Sequence, residues 1–149
     1  MPIRYTHINI VSRDWKKLVK FYQEVFGCIP VPPERDYSGT WLDKGTGVNK
    51  AHLKGMHLRL PGMEENGPTL EIFQYENTEN KLPPKANREG FCHIAFHVDD
   101  VRATHEKALL NGGNELGEIS TKEIEGIGVL TFVYITDPEG NIIELLNWS

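Results

Sequence analysis

The sequence predicts an α+β fold made of two tandem βαβββ modules in a single domain, and three observations carry that prediction. In Gly90-Phe91-Cys92-His93-Ile94-Ala95-Phe96-His97-Val98-Asp99-Asp100 the residues Phe91, His93, Ala95 and His97 alternate with Cys92, Ile94, Phe96 and Val98. That period of two is a β-strand with its Cys-Ile-Phe-Val face turned to a core. The chain opens on a weaker copy, Tyr5-Thr6-His7-Ile8-Asn9-Ile10-Val11, which places His7 between Thr6 and Ile8 as His93 sits between Cys92 and Ile94. Finally, Thr69-Leu70-Glu71-Ile72-Phe73 near the end of the first half matches Ile142-Ile143-Glu144-Leu145-Leu146 at the end of the second. Each holds one carboxylate inside an apolar strand.

Taken in order, the first module (residues 1–76) starts with a strand over 5–11. A helix over about 14–26 follows, because Trp15, Leu18, Val19, Tyr22 and Val25 or Phe26 fall on one stripe at three- and four-residue spacing. Gly27 is placed to cap it. A short extended piece over 28–31 ends at Pro32-Pro33. Residues 34–50 are polar and glycine-bearing, with Trp41-Leu42 the only apolar feature, and are expected to form a long functional loop. Strands return over 51–60 and 69–75, separated by a turn at Pro61-Gly62. Residues 77–88 are charged and proline-containing, which marks a linker.

The second module (residues 89–149) repeats the plan. Its strand over 91–98 leads to a helix over 101–111, capped by Asp99 or Asp100 and closed by Gly112-Gly113. A short edge strand over 115–121 and a flexible loop over 125–128 precede a strand over 129–136. Asp137-Pro138-Glu139-Gly140 forms a turn, and the last strand runs over 141–148. Glu71 follows His7 by 64 positions and Glu144 follows His93 by 51, a difference of 13 that the long first-half loop absorbs. Both segments at 34–50 and 125–128 are expected to cover a cleft.

Bulk properties narrow the function classes. The chain has 39% hydrophobic and 25% charged residues, the balance of a soluble globular protein. With a net charge of −5 and no local run of Lys or Arg, nucleic acid is not an expected partner. No apolar run approaches a membrane span of about 18 residues, and the start has no signal-peptide core. Cys28 and Cys92 have neither metal-motif spacing nor disulfide-scaffold density, so they are expected as reduced, core-packed thiols in a cytoplasm.

Each half therefore offers a His in its first strand and a Glu in its last. A carboxylate flanked by Leu70 and Ile72, or by Ile143 and Leu145, is costly to bury without compensation, and a divalent metal is one compensation. The alternative is a hydrogen-bonded structural histidine and a glutamate on a wet strand face. Recurrence at equivalent places in both halves favours the metal, with pseudo-twofold packing bringing the four side chains to one point. Two imidazoles and two carboxylates suit Zn, Ni, Mn, Co or Fe, with positions left for water or substrate oxygens.

The same residues carry a resemblance. The repeated strand order, His93-Ile94-Ala95-Phe96-His97-Val98-Asp99-Asp100 and Asp137-Pro138-Glu139-Gly140-Asn141-Ile142-Ile143-Glu144 resemble the vicinal oxygen chelate superfamily. That group includes glyoxalase I, methylmalonyl-CoA epimerase, extradiol dioxygenases and bleomycin-resistance proteins. The resemblance covers nearly the whole chain and implies a U-shaped mixed sheet around a metal held by His7, Glu71, His93 and Glu144. It also makes a homodimer plausible. Ser38-Gly39-Thr40-Trp41-Leu42-Asp43, Leu58-Arg59-Leu60-Pro61-Gly62 and Leu70-Glu71-Ile72-Phe73-Gln74-Tyr75 further resemble a subgroup containing valiolone-type cyclitol epimerases.

The function expected from this is a metal-dependent isomerase, epimerase or lyase working on a small oxygen-rich substrate through a metal-chelated enediolate. Glu144 and Glu71 would move the proton as general base and acid. Candidate substrate contacts are Trp41, His57, Tyr134 and His97; the alternatives are core or edge packing for His57 and Tyr134, a solvated strand end for His97 and a loop anchor for Trp41. His52 and His105 are expected to be structural or exposed. An extradiol-type dioxygenase would use His7, His93 and Glu144 alone, and Glu71 counts against it by taking a position that oxygen needs. A metal-free drug-binding protein would have no need of the four ligands. Glyoxalase I proper fits less well, since no glutathione-recognition signature stands out.

Overall fold

The computed structural model describes residues 2–149, in two compact units, the first reaching Asn80 and the second spanning Lys81–Ser149. Each unit is a mixed sheet with its own helices, so the α+β class is observed. Among the described residues no helix is long and apolar enough to cross a membrane.

The first unit contains β1 (His7–Val11), α1 (Trp15–Phe26), β2 (Ile29–Ser38), α2 (Thr40–Thr46), β3 (His52–Arg59) and β4 (Thr69–Tyr75), with sheet order β1-β4-β3-β2. β1 and β4 are parallel; β4, β3 and β2 are antiparallel neighbours. Asp14 caps α1 by accepting from the Lys17 amide at 3.2 Å, and Gly27 ends it in the left-handed region at φ 69°. The helix buries Trp15, Leu18, Val19, Phe21, Tyr22 and Val25. It packs on β3 and β4, where Leu58, Leu70 and Ile72 are fully shielded from solvent. One sheet face is thereby spent on the core, and the other carries polar side chains beside a smaller apolar cluster that includes Leu53 and Phe73.

The expected loop over 34–50 is corrected by the structure. β2 runs on through Pro32 and Pro33 to Ser38, with a register shift between Val31 and Arg35, and α2 follows. Prolines are tolerated because β2 is an edge strand whose outer side has no ladder to donate to. α2 is too short for periodicity to announce it. Leu42 anchors it in a small core with Ala51, Leu53 and Phe73, while the Asp43 carboxylate accepts from the Lys50 and Ala51 amides at 2.9 and 2.8 Å. Gly55 is required where it stands: a Cβ there would lie 2.0 Å from the Ile72 carbonyl oxygen and 2.6 Å from the Phe73 ring.

At the far end of this sheet His52 bridges two carboxylates, with Nε2 2.6 Å from Asp36 Oδ1 and Nδ1 2.7 Å from Glu76 Oε1. The Asp36 hydrogen bond, reinforced by Glu76, raises its pKa above the ordinary 6.5. A raised folded-state pKa contributes stability that is fully present below the unfolded value and is lost as pH climbs through the folded value. Thermal unfolding of wild type and His52→Gln should therefore differ below pH 6.5 and converge at alkaline pH. A pH-independent difference would show that the bridge acts without its proton.

The second unit contains β5 (His93–His97), α3 (Val101–Leu110), β6 (Asn114–Glu115), β7 (Ser120–Ile124), β8 (Gly128–Thr136) and β9 (Ile142–Trp148). The order is β5-β9-β8-β6, with β7 also on β8; β5 and β9 are parallel. Asp100 caps α3 by accepting from the Ala103 amide at 2.9 Å. Gly113 closes the helix where a Cβ would come within 2.9 Å of the Ala108 and 2.8 Å of the Thr136 carbonyl oxygen. The single edge strand expected over 115–121 is two pieces, because the chain bends where the Gly117 amide bonds the Tyr134 carbonyl at 2.9 Å. The expected loop over 125–128 is a tight turn closed from the Ile127 amide to the Ile124 carbonyl, with Gly128 already in β8.

The turn before β9 is held by Asp137, fully buried, whose Oδ1 accepts from the Glu139 and Asn141 amides at 2.9 and 3.0 Å. Asn141 Nδ2 donates to its Oδ2 at 2.8 Å. This fixes the start of β9 and hence the register of Glu144. The thiols differ: Cys28 is buried as expected, its pKa pushed up to about 12 by burial, while Cys92, expected in the core, lies just before β5, is only half-buried and donates to the Ala86 carbonyl.

Candidate metal and substrate site

In the first unit the face opposite α1 is organised in rows by strand register. His7 on β1 is level with Thr69 on β4 and Arg59 on β3. The next row is Asn9, Glu71, His57 and Val31, and the third is Val11, Phe73, Gly55 and Arg35. Paired residues share a face, so two adjacent rows deliver two imidazoles and a carboxylate to one patch. Their ligand atoms lie within 4.8 Å of one another.

Glu71 is only 7% exposed and every oxygen is engaged. Oε1 accepts from Asn9 Nδ2 at 3.0 Å and lies 3.4 Å from His7 Nε2, while Oε2 is 2.7 Å from His57 Nε2. His57 Nδ1 is 3.1 Å from Thr69 Oγ1. With the Thr69 hydroxyl donating to Nδ1, Nε2–H donates to Glu71. Burial lowers the His57 pKa, with the charges of Arg35 and His7 adding to that and Glu71 opposing it. The rings of His7 and His57 meet edge-on at 5.7 Å.

The second unit repeats the register. His93 is level with Ile142, two residues before Glu144, as His7 is level with Thr69, two before Glu71. Tyr134 is level with Glu144 as His57 is with Glu71. His93 Nε2 lies 3.0 Å from Glu144 Oε2, and its Nδ1 3.3 Å from Cys92 Sγ. The Tyr134 ring lies 4.7 Å from the His93 ring, and burial, then Glu144 and Cys92, raise the phenol pKa. A divalent ion fits this donor chemistry of imidazole nitrogens facing carboxylates.

The structure thus brings together His7 with Glu71 and His93 with Glu144, and adds His57 to the first pair as a potential third donor. It places Tyr134 against the second pair. His97 is exposed on the His93 face, level with Leu146. Trp41 is 62% exposed on α2, its indole donating to the Ser38 carbonyl at 2.8 Å and its ring 5.6 Å from Tyr37. Sequence reasoning overlooked Asn9, although its place two residues after His7 on one strand puts it on the same face.

Comparison with known proteins bears on the fold and the family. The family model described as the Glyoxalase/Bleomycin resistance protein/Dioxygenase superfamily matches residues 4–145. A probable lactoylglutathione lyase of Vibrio parahaemolyticus is 28% identical over 146 residues, covering 96% of this chain and 89% of the relative. The lactoylglutathione lyase of Haemophilus influenzae is 25% identical, covering 98% and 92%. Among solved structures, a glyoxalase family protein from Bacillus cereus superposes with a TM-score of 0.74 at 17% identity, covering 98% of this chain and 93% of that one.

Proposed function

The chain belongs to the glyoxalase/bleomycin resistance protein/dioxygenase superfamily, and from that membership we propose that it is a metal-dependent lyase or isomerase, including epimerase, of a small oxygen-rich substrate. The observation that carries this is the duplicated register: a histidine imidazole facing a glutamate two strand positions on, at 3.4 Å in one half and 3.0 Å in the other. Relatives named as lactoylglutathione lyases support a lyase-type reaction.

His7, Glu71, His93 and Glu144 are the proposed holders of a divalent metal, which when bound supplies Lewis-acid stabilisation of charge on a carbonyl oxygen. The chain's own part is proton transfer. Glu144 accepts a proton from carbon α to the carbonyl and returns it, and Glu71 is the matching carboxylate of the other half. Tyr134 is level with Glu144, and its phenol, which burial and Glu144 push further above its ordinary range, is placed to donate a hydrogen bond to a substrate oxygen. Trp41, His57 and His97 complete the proposed substrate contacts. Two free thiols and a set of exposed apolar side chains, Phe91 foremost, support the accompanying proposals of a cytoplasmic location and a homodimer.

Incubation of metal-loaded protein in D₂O with α-hydroxy ketones, cyclitol ketones, acyl-CoA thioesters and glutathione hemithioacetals, followed by NMR, tests the reaction class. One of these should exchange its α-proton with solvent while consuming no oxygen. Turnover with oxygen uptake and no exchange would replace this reading with dioxygenase chemistry.

A further inference from the structure

We infer that the first unit's site face binds the anionic group, a phosphate or a carboxylate, of the substrate through Arg35 and Arg59. The inference deepens the proposed function and rests on its site, but not on the metal being bound. It starts from the charges on that face. Across the three rows of β1, β4, β3 and β2 that run from His7 through Glu71 and His57 to Gly55, the fixed charges among the described residues are one carboxylate, Glu71, and two guanidiniums, Arg59 and Arg35. The chain as a whole carries a net charge of −5, so this excess of positive charge is local and against the trend.

The register places both cations beside the imidazole–carboxylate cluster. Arg59 is level with Thr69 and His7 and two positions from His57 on β3. Arg35 starts one row beyond His57, level with Gly55, but its side chain turns back along the edge strand. Its NH1 donates to the Val31 carbonyl at 2.8 Å and also to the Pro33 carbonyl. Val31 is the β2 partner of His57, so the guanidinium is held at the row of His57 and Glu71, about one strand spacing (~4.8 Å) from the imidazole strand. Gly55 has no side chain to stand between them.

Both arginines are half-buried, and among the described residues neither has a carboxylate partner. NH1 of Arg35 is fixed by backbone oxygens, which leaves its other N–H groups to a ligand. A guanidinium anchored in this way has lost its rotamer freedom before binding, so a phosphate or carboxylate pays little further ordering cost to be gripped. A lone Arg that only braced the β2 bulge would explain Arg35, but not a second unpaired cation on the same face.

Three small probes that share an α-hydroxy carbonyl separate the possibilities: dihydroxyacetone is neutral, dihydroxyacetone phosphate carries a phosphate, and hydroxypyruvate a carboxylate. Calorimetric titration into the full chain, with and without Zn²⁺, should show at least one anionic probe binding about tenfold or more tighter than dihydroxyacetone, as charge-assisted hydrogen bonds give. The tighter of the two identifies the group. Arg59→Gln, which breaks no backbone contact, and Arg35→Lys, which keeps charge but not the fork, should each shrink that preference, and Arg35→Gln should shrink it further. Equal affinity for neutral and anionic probes, or a preference untouched by Arg59→Gln and both Arg35 variants, overturns the inference. Failure of Zn²⁺ to bind while the anion preference persists counts against the metal reading alone.

Discussion

The double variant His7→Ala, His93→Ala is expected to lose its metal while keeping its fold. Both side chains stand on sheet faces away from the helices, 39% and 25% exposed, so truncating them opens no cavity in the core. Loss of partners that merely orient ligands costs about 10–100-fold in metal affinity, and loss of two donors should exceed that. Elemental analysis of purified protein, with thermal unfolding as the control for folding, reads the result. The single variants are expected to weaken binding each by itself, and His57→Ala to weaken it through the freed Glu71 carboxylate. Wild-type stoichiometry and affinity in the double variant would strike both imidazoles from the ligand set.

Glu144→Gln is expected to abolish solvent exchange of the substrate α-proton, by about 10²–10⁴-fold, the worth of a positioned general base. Glutamine fills the same volume but an amide cannot take the proton. The two carboxylates differ in their surroundings. Glu71 is gripped by Asn9 and His57 beside His7, whereas among the described residues Glu144 faces one imidazole, His93, and its side chain is more exposed, 17% against 10%. Glu71→Gln should therefore fall first on metal binding and Glu144→Gln first on exchange. If Glu144→Gln exchanged at the wild-type rate with metal bound, the base would have to be Glu71 or another group.

Much of this was legible beforehand because it follows from strict alternation. Strand period two, the stripe of α1, the aspartate cap of α3 and the Asp-Pro-Glu-Gly turn are local signals, each set by a few neighbouring residues. They located the strands that carry His7, Glu71, His93 and Glu144 before any contact was known. The course of residues 34–50 was not legible. α2 exists because Leu42 finds Phe73 and Leu53, residues from strands up to 31 positions away, and because Asp43 caps the segment that follows. Polar composition alone reads as loop.

The sequence by itself determined the α+β class, the duplicated strand plan and the pairing of one histidine with one glutamate in each half. Those depend on periodicity, which a single chain displays in full. Only the tertiary structure decided that His57 joins Glu71, that Tyr134 takes the equivalent place beside His93, and that Arg35 folds back to the row of His57. Each of these rests on the register between strands distant in sequence. Register is fixed by core packing of Leu58, Leu70 and Ile72 against α1 on the opposite face, and no local pattern encodes it.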